Sequence, residues 1–325
     1  MKLNEYQIIA LAEKYFIKNN SNIVKNIGDD TAVVKPVKGF QLMTSDMLIE
    51  GTHFLLDKIS PYNLGWKSLA VNISDIASMS GKPDYALLSI GLNNKVNYDW
   101  LEDFYKGLSD CANTYQVNII GGDTVSSKSD VVINIALTGN SEKPIYRNTA
   151  KENYILTSTG YLGLSGAGLK LLLSEKKSFN EYENYCIEKH VKPIPKVSEG
   201  LFISEYVNDF AMCDSSDGLY NSAKLISKQS NLGIDLFSDN FNINSNLWEV
   251  EKDLNQVIDL ILYGGEDYEL IFALSENDYN NLKEKYYQKF QFQLPLLGKF
   301  NNSKEIKLLK NSNYITLNDK SFNHF

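Results

Sequence analysis

"NLGWKSLAVNISDIASM", residues 63–79, and "YALLSIGL", residues 85–92, decide the fold class. The first stretch repeats its apolar residues at helical spacing, and the second is a short apolar run typical of a buried strand. Reading outward from this helix–strand unit, the alternation continues on both sides. Upstream, "YQIIALAEKYFIK" has helical spacing, while "TAVVKPV" and "FQLMTSDML" read as strands. Downstream, "WLEDFYKGLSDCANTY" is an amphipathic helix, and "VNII" and "VVINIALTG" are strands. Residues 140–153, "NSEKPIYRNTAKEN", are polar and break the pattern, which places a domain boundary there.

The second half alternates again. "YILTSTG" reads as a strand, and "GLSGAGLKLLL" as a glycine-rich turn entering a helix. "FAMC" is a short strand that passes through "DSSDG" into the helix "LYNSAKLISKQ". "VIDLILYG" is helical, "YELIFAL" is a strand, and "SENDYNNLKEKYYQ" is a helix whose leading serine suits an N-cap. The expectation is a two-domain α/β (α+β) chain, 1–145 and 146–325, with strand order left open.

Composition narrows the function. The chain has 325 residues, 43% of them hydrophobic and 22% charged, which suits a globular protein of about two domains. A formal net charge of −8 without a Lys/Arg block argues against a nucleic-acid surface, though not against a nucleotide ligand. The N-terminus mixes charge into every turn, and no stretch approaches 18 uninterrupted apolar residues, so neither a signal peptide nor a membrane span is expected. Cys111, Cys186 and Cys213 are widely spaced and odd in number, as expected of reduced thiols in a cytosolic protein. His53, His190 and His324 lack metal-ligand spacing, so any metal site must be built from carboxylates.

Carboxylates do recur in suitable places. "NIGDDTAVV" sets Asp29 and Asp30 after a glycine and before an apolar run; "TSDM" puts Asp46 in a strand beside Thr44 and Ser45. Asp75 shares a helix face with Asn72, Asp123 follows two glycines at a strand end, and Asp214 and Asp217 lie between a strand and a helix. Each alone reads equally well as a turn, cap or solvated residue. Together they place several negative charges at strands, where uncompensated charge is costly. Oxygen-only ligands favour Mg²⁺ or Ca²⁺, commonly with nucleotide phosphates. Neither a G-x-x-x-x-G-K-[ST] loop nor a G-x-G-x-x-G fingerprint is present, so an ATP site here is neither P-loop nor Rossmann.

At this point the motifs "NIGDDTAVV", "TSDMLIEGTHF", "AVNISDIASM", "IIGGDT", "SSDGL" and "GGEDYEL" resemble, in order and spacing, those of thiamine-monophosphate kinases. These belong to the superfamily typified by aminoimidazole ribonucleotide synthetase. The resemblance spans nearly the whole chain. It implies an N-terminal α/β domain that binds ATP and metal and pairs with its copy in a homodimer, followed by a C-terminal α/β domain. It further implies that Asp30, Thr44, Ser45, Asp46, Asp75, Asp123 and Asp214 hold several Mg²⁺ ions, with Asp217 a further ligand. Tyr105, the Gly122–Asp123 backbone, Arg147 and Ser216 would contact ATP; His53, Glu266 and Phe322 would face thiamine phosphate. Two departures stand out: Ser215 where an aliphatic residue is usual, and "DKSFNHF" where a glycine commonly precedes the aromatic. The implied reaction is phosphoryl transfer from ATP to thiamine phosphate. That acceptor is mostly a dianion at neutral pH and needs no strong base. An amidine ligase of the same superfamily and a non-catalytic nucleotide-binding protein are the rival readings.

Overall fold

The computed structural model describes residues 5–16, 20–27, 31–36 and 38–320. The chain divides into two compact units, Met1–Ile76 with Gly81–Lys143 and Ala77–Ser80 with Pro144–Phe325.

The first unit runs α1 (Glu5–Phe16), β1 (Ile23–Lys25), β2 (Val33–Val34), β3 (Phe40–Ile49), α2 (Pro61–Ser78), β4 (Lys82–Leu92), α3 (Tyr98–Thr114), β5 (Asn118–Ser126) and β6 (Val132–Ser141). α3 shows why these segments fold as they do. The Asn97 side chain accepts from Trp100 N at 2.8 Å and caps the helix, and Asp99 favours its positive end. Leu101, Phe104, Leu108 and Cys111, spaced three and four apart, form its buried stripe.

The main sheet of this unit has the order β3-β6-β4-β5, with β4 and β5 parallel and the other pairs antiparallel. The sequence predicts a strand ending before the glycines at 121–122, whereas β5 continues through them to Ser126. The pairing slips by one residue between Ala86 and Leu87 of β4. Gly122 sits at φ 151°, where a β-carbon would collide with the Leu88 carbonyl, so only glycine lets the strand pass. Asp123 therefore lies inside a strand rather than at its end.

The second unit runs β7 (Ile155–Ser158), α4 (Leu164–Leu172), α5 (Glu181–Val191), α6 (Val197–Tyr206), β8 (Phe210–Asp214), α7 (Gly218–Gln229), β9 (Gly233–Phe237), α8 (Leu247–Val250), α9 (Leu254–Tyr263), β10 (Leu270–Leu274), α10 (Glu276–Phe290), β11 (Gly298–Asn301), β12 (Ile306–Lys310) and β13 (Asn313–Thr316). Its seven-stranded sheet has the order β13-β12-β9-β11-β7-β10-β8. Both faces of the sheet are covered at β7, β10 and β8. Leu156, Cys213 and Ile271 join one apolar cluster with residues of α4, α7 and α9. Ile155, Met212 and Phe272 join another with residues of α6 and α10. Double-sided burial is why β8 and β10 read as unbroken apolar runs. As expected, Ser275 caps α10, its hydroxyl accepting from Asp278 N at 3.1 Å.

Candidate active site

In the first unit the pleat of β3 sorts its residues. Leu42, Thr44, Asp46 and Leu48 are the better-buried set, whereas Met43, Ser45 and Met47 point to the open face. α2 presents Asn72 and Asp75, three residues apart and so on one side of the helix, to the first set. The Thr44 hydroxyl donates to Asp75 Oδ2, and Asp46 N donates to Asn72 Oδ1 at 3.0 Å. Asn72 is itself held by its Nδ2, which donates to Ser68 O at 3.1 Å. Burial, reinforced by the nearby charge of Asp75, pushes the Asp46 carboxyl up to about 6. Among the described residues no Lys or Arg pairs with it. Two carboxylates are thus held near each other.

Ser45 falls on the opposite face, where Asn134 Nδ2 donates to its hydroxyl at 3.0 Å. Strand register places Met47, Asn134, Ser89 and Asp123 in one row across the sheet. Asp123 therefore shares the open face with Ser45, and three strand spacings separate its row position from β3, about 14 Å. The sequence motifs group Thr44, Ser45, Asp46 and Asp123 by type; the two-residue period of the strand divides them within one chain. Met43, Met47, Leu87 and Val125 are exposed around this row by 77%, 50%, 45% and 54%.

His53 lies in the turn after β3, where its Nδ1 accepts from Ile49 N at 3.1 Å. In the neutral ring this puts the proton on Nε2. Tyr105 is a core residue of α3, 1% exposed and edge-on to Phe16 at 5.1 Å. It lies on the buried side of α3 along with Phe104. Asp30 and Phe322 lie outside the described residues.

In the second unit, β8 delivers Asp214, which is 6% exposed, to the turn that opens α7. Gly218 makes the turn possible: its φ is 86°, and a β-carbon there would stand 2.6 Å from the Leu262 carbonyl. Asp217 occupies the N-cap position, and its Oδ2 accepts from Asn221 Nδ2 at 3.1 Å and Ser216 Oγ at 3.4 Å. The loop entering β10 folds over this turn, with Glu266 N donating to Ser216 O at 2.7 Å and Tyr268 N to Ser215 O at 3.0 Å. Asp214, Ser216, Asp217 and Glu266 are thereby gathered at one end of β8. Arg147 runs beside β8, where Met212 N donates to Tyr146 O at 3.3 Å, and its cation acts on the Cys213 thiol.

The sequence reading missed two residues of this region. Asp267 reaches back about a hundred residues to α4, accepting from Gly163 N at 2.6 Å and Ser165 N at 2.9 Å. Burial pushes its carboxyl up to about 7, against the pull of those two amides. His190, in the last turn of α5, contacts Ser165 and Glu266. A cavity of about 200 Å³ lies in this unit, with Thr159, Tyr161, Lys196, Glu199, Glu269 and Phe292 among its lining.

Comparison with known proteins bears on the family and the fold. Residues 28–140 match the family model of the AIR synthase related protein, N-terminal domain. The thiamine-monophosphate kinase of Buchnera aphidicola subsp. Schizaphis graminum is 36% identical, with 100% of both chains covered. The structure of thiamine-monophosphate kinase from Stenotrophomonas maltophilia K279a superposes with a TM-score of 0.82 at 25% identity, covering 95% of this chain and 97% of that one. A structure of AaThiL complexed with AMPPCP and TMP gives a TM-score of 0.79 at 29% identity, covering 100% of this chain and 99% of the other. Full-length identity at this level, on a chain that carries the acidic motifs in order, settles the family. The chain belongs to the thiamine-monophosphate kinase family, on the AIR synthase-like fold.

Proposed function

We propose that this kinase moves the γ-phosphoryl group of ATP directly onto the phosphate of thiamine monophosphate, with aspartate-held Mg²⁺ neutralising the charge that opposes the encounter. The phosphotransferase activity goes with the family. The metal-assisted route rests on one observation above all, the Asp46–Asp75 pair. Close like charges repel by about 4 kcal/mol at an effective dielectric of 20, and phosphate meeting phosphate repeats that cost several times. A hard cation suits two neighbouring carboxylates and a hydroxyl, and it would offset the repulsion between the two charges.

Asp46 and Asp75 would hold the cation in the first unit, with Thr44 orienting the Asp75 carboxylate. Asp30, Ser45 and Asp123 are proposed as further first-unit ligands, and Asp214 and Asp217 as ligands in the second. Bound Mg²⁺ supplies electrostatic stabilisation of the transferring group. The Gly122–Asp123 backbone, Arg147 and Ser216 would position ATP. His53, with Nδ1 engaged by the Ile49 amide, would offer Nε2–H to the acceptor phosphate. Glu266 and Phe322 would complete the acceptor site. Tyr105 is proposed as a further ATP contact. No side chain need act as a strong base, since the acceptor phosphate is already largely ionised.

The open, apolar face of the four-stranded sheet supports a homodimer built on the first unit. Among the described residues no helix is long and apolar enough to cross a membrane. The three cysteines are buried and form no disulfide, which supports a cytoplasmic setting. Incubation with ATP, Mg²⁺ and thiamine monophosphate tests the reading. Thiamine diphosphate and ADP should form in equal amounts and stop forming on chelation. Nucleotide binding without product, or turnover only with a purine precursor, would overturn it.

A further inference from the structure

His190 is a buried imidazole, 7% exposed, that the phosphoryl-transfer scheme above does not use. Its Nδ1 stands 3.0 Å from Ser165 Oγ and 3.3 Å from Glu266 Oε2. Both distances are set by well-anchored elements. Ser165 opens α4, where its amide donates to Asp267. His190 closes α5, which packs so tightly on α4 that a β-carbon on Gly168 would collide with the Cys186 carbonyl. Glu266, at φ 65°, occupies a left-handed conformation rarely adopted by a residue of its size. Such outliers persist only where the surroundings over-determine them, and they gather at functional sites.

The chemistry of the three groups fixes the direction of the contact. A carboxylate only accepts hydrogen bonds, and a lone pair on Nδ1 facing it would repel. Nδ1 therefore carries a proton, shared between Glu266 Oε2 and Ser165 Oγ. We propose that His190, backed by Ser165, is a positioning residue that holds the Glu266 carboxylate in place for the acceptor substrate. The proposal rests on the reading above that Glu266 faces thiamine monophosphate. His190 touches neither phosphate; it acts through Glu266. Its effect should thus fall on acceptor binding and leave the nucleotide alone.

Steady-state kinetics of four variants test this. His190→Phe removes the donor and should raise KM for thiamine monophosphate about tenfold, with KM for ATP unchanged. His190→Asn, whose amide N–H can take the place of Nδ1–H, should recover most of that loss. Glu266→Gln combined with His190→Phe should be no worse than Glu266→Gln alone, because residues acting through one another are not additive. Should His190→Phe fail to fold, Ser165→Ala keeps the ring and removes its support, and a roughly threefold rise in the same KM is expected. Equal changes in both KM values, additivity with Glu266→Gln, or no effect in the variants would overturn the proposal. If the wild-type protein forms no thiamine diphosphate, the functional reading fails instead. The contact is then judged by ¹⁵N NMR of His190. A protonated Nδ1 whose shift moves in Glu266→Gln supports it, and an unprotonated or unmoved Nδ1 overturns it.

Discussion

Replacing Asp46 by Asn should make the metal-free protein more stable while destroying its turnover. Burial and the neighbouring Asp75 raise the Asp46 carboxyl from 3.8 to about 6 in the folded chain. Each tenfold difference in proton affinity is worth about 1.4 kcal/mol, so ionised Asp46 destabilises the fold by on the order of 3 kcal/mol well above pH 6. The sign follows from the direction of the shift. The folded chain binds this proton more tightly than the unfolded chain, so the contribution of Asp46 to stability is most favourable below pH 4 and declines as the pH rises through 6. Asn keeps the shape and removes the charge. At pH 8, without divalent metal, thermal unfolding of Asp46→Asn should occur roughly 5–10 °C above wild type, and the gap should close near pH 4. Mg²⁺ with a non-hydrolysable ATP analogue should then stabilise wild type by mass action and the variant much less. Turnover should fall by orders of magnitude. A variant no more stable than wild type at pH 8, or one with the same advantage at pH 4, would refute the argument that this charge is held at a cost for a cation.

Other outcomes follow from single features. Asp123→Asn, at an exposed strand position with its carboxylate on the Thr124 amide at 2.8 Å, should cut turnover by orders of magnitude with an unchanged circular dichroism spectrum; near-normal turnover in the folded variant would remove it from the metal set. Thr157 is fully buried in β7, and its hydroxyl has no partner among the described residues, so Thr157→Val should raise stability by about 1–2 kcal/mol in denaturant titrations. Burial pushes the thiols of Cys186 and Cys213 up to about 12, and Cys111 is equally buried. At pH 8 a thiol reagent should leave all three unmodified in the native protein and label them on unfolding, as checked by mass spectrometry.

What the sequence discloses here depends on how local each cause is. α3 and α10 are legible because their caps and apolar stripes lie within the segments themselves. β8 and β10 are legible because burial on both faces leaves an unbroken apolar run. α5 escaped the reading, being polar with mean hydropathy too low for a clear stripe, although the reciprocal Asn180–Glu183 capping bonds at 2.9 Å were its signal. β9 and β11 also escaped it, because they pair with each other across some sixty residues, and the local β12–β13 hairpin, turning at Asn311–Ser312, was missed as well.

In the candidate site, helical spacing foretold that Asn72 and Asp75 act from one face, and both meet β3. The pleat that turns Ser45 away from Asp46 follows the same elementary periodicity, yet motif grouping conceals it. The placement of Asp123 depended on a one-residue slip in β4–β5 pairing that no local pattern announces. The left-handed Glu266 and its His190 contact arise from tertiary packing of three elements, and "GGEDYEL" gives only the glycines as a hint.

The most direct test of the account is to locate the cation. Crystals grown with Mn²⁺ in place of Mg²⁺ and a non-hydrolysable ATP analogue should show an anomalous peak within about 2.2 Å of the Asp46 and Asp75 carboxylate oxygens. Well-ordered nucleotide with manganese peaks only elsewhere, and these two side chains unliganded, would contradict it.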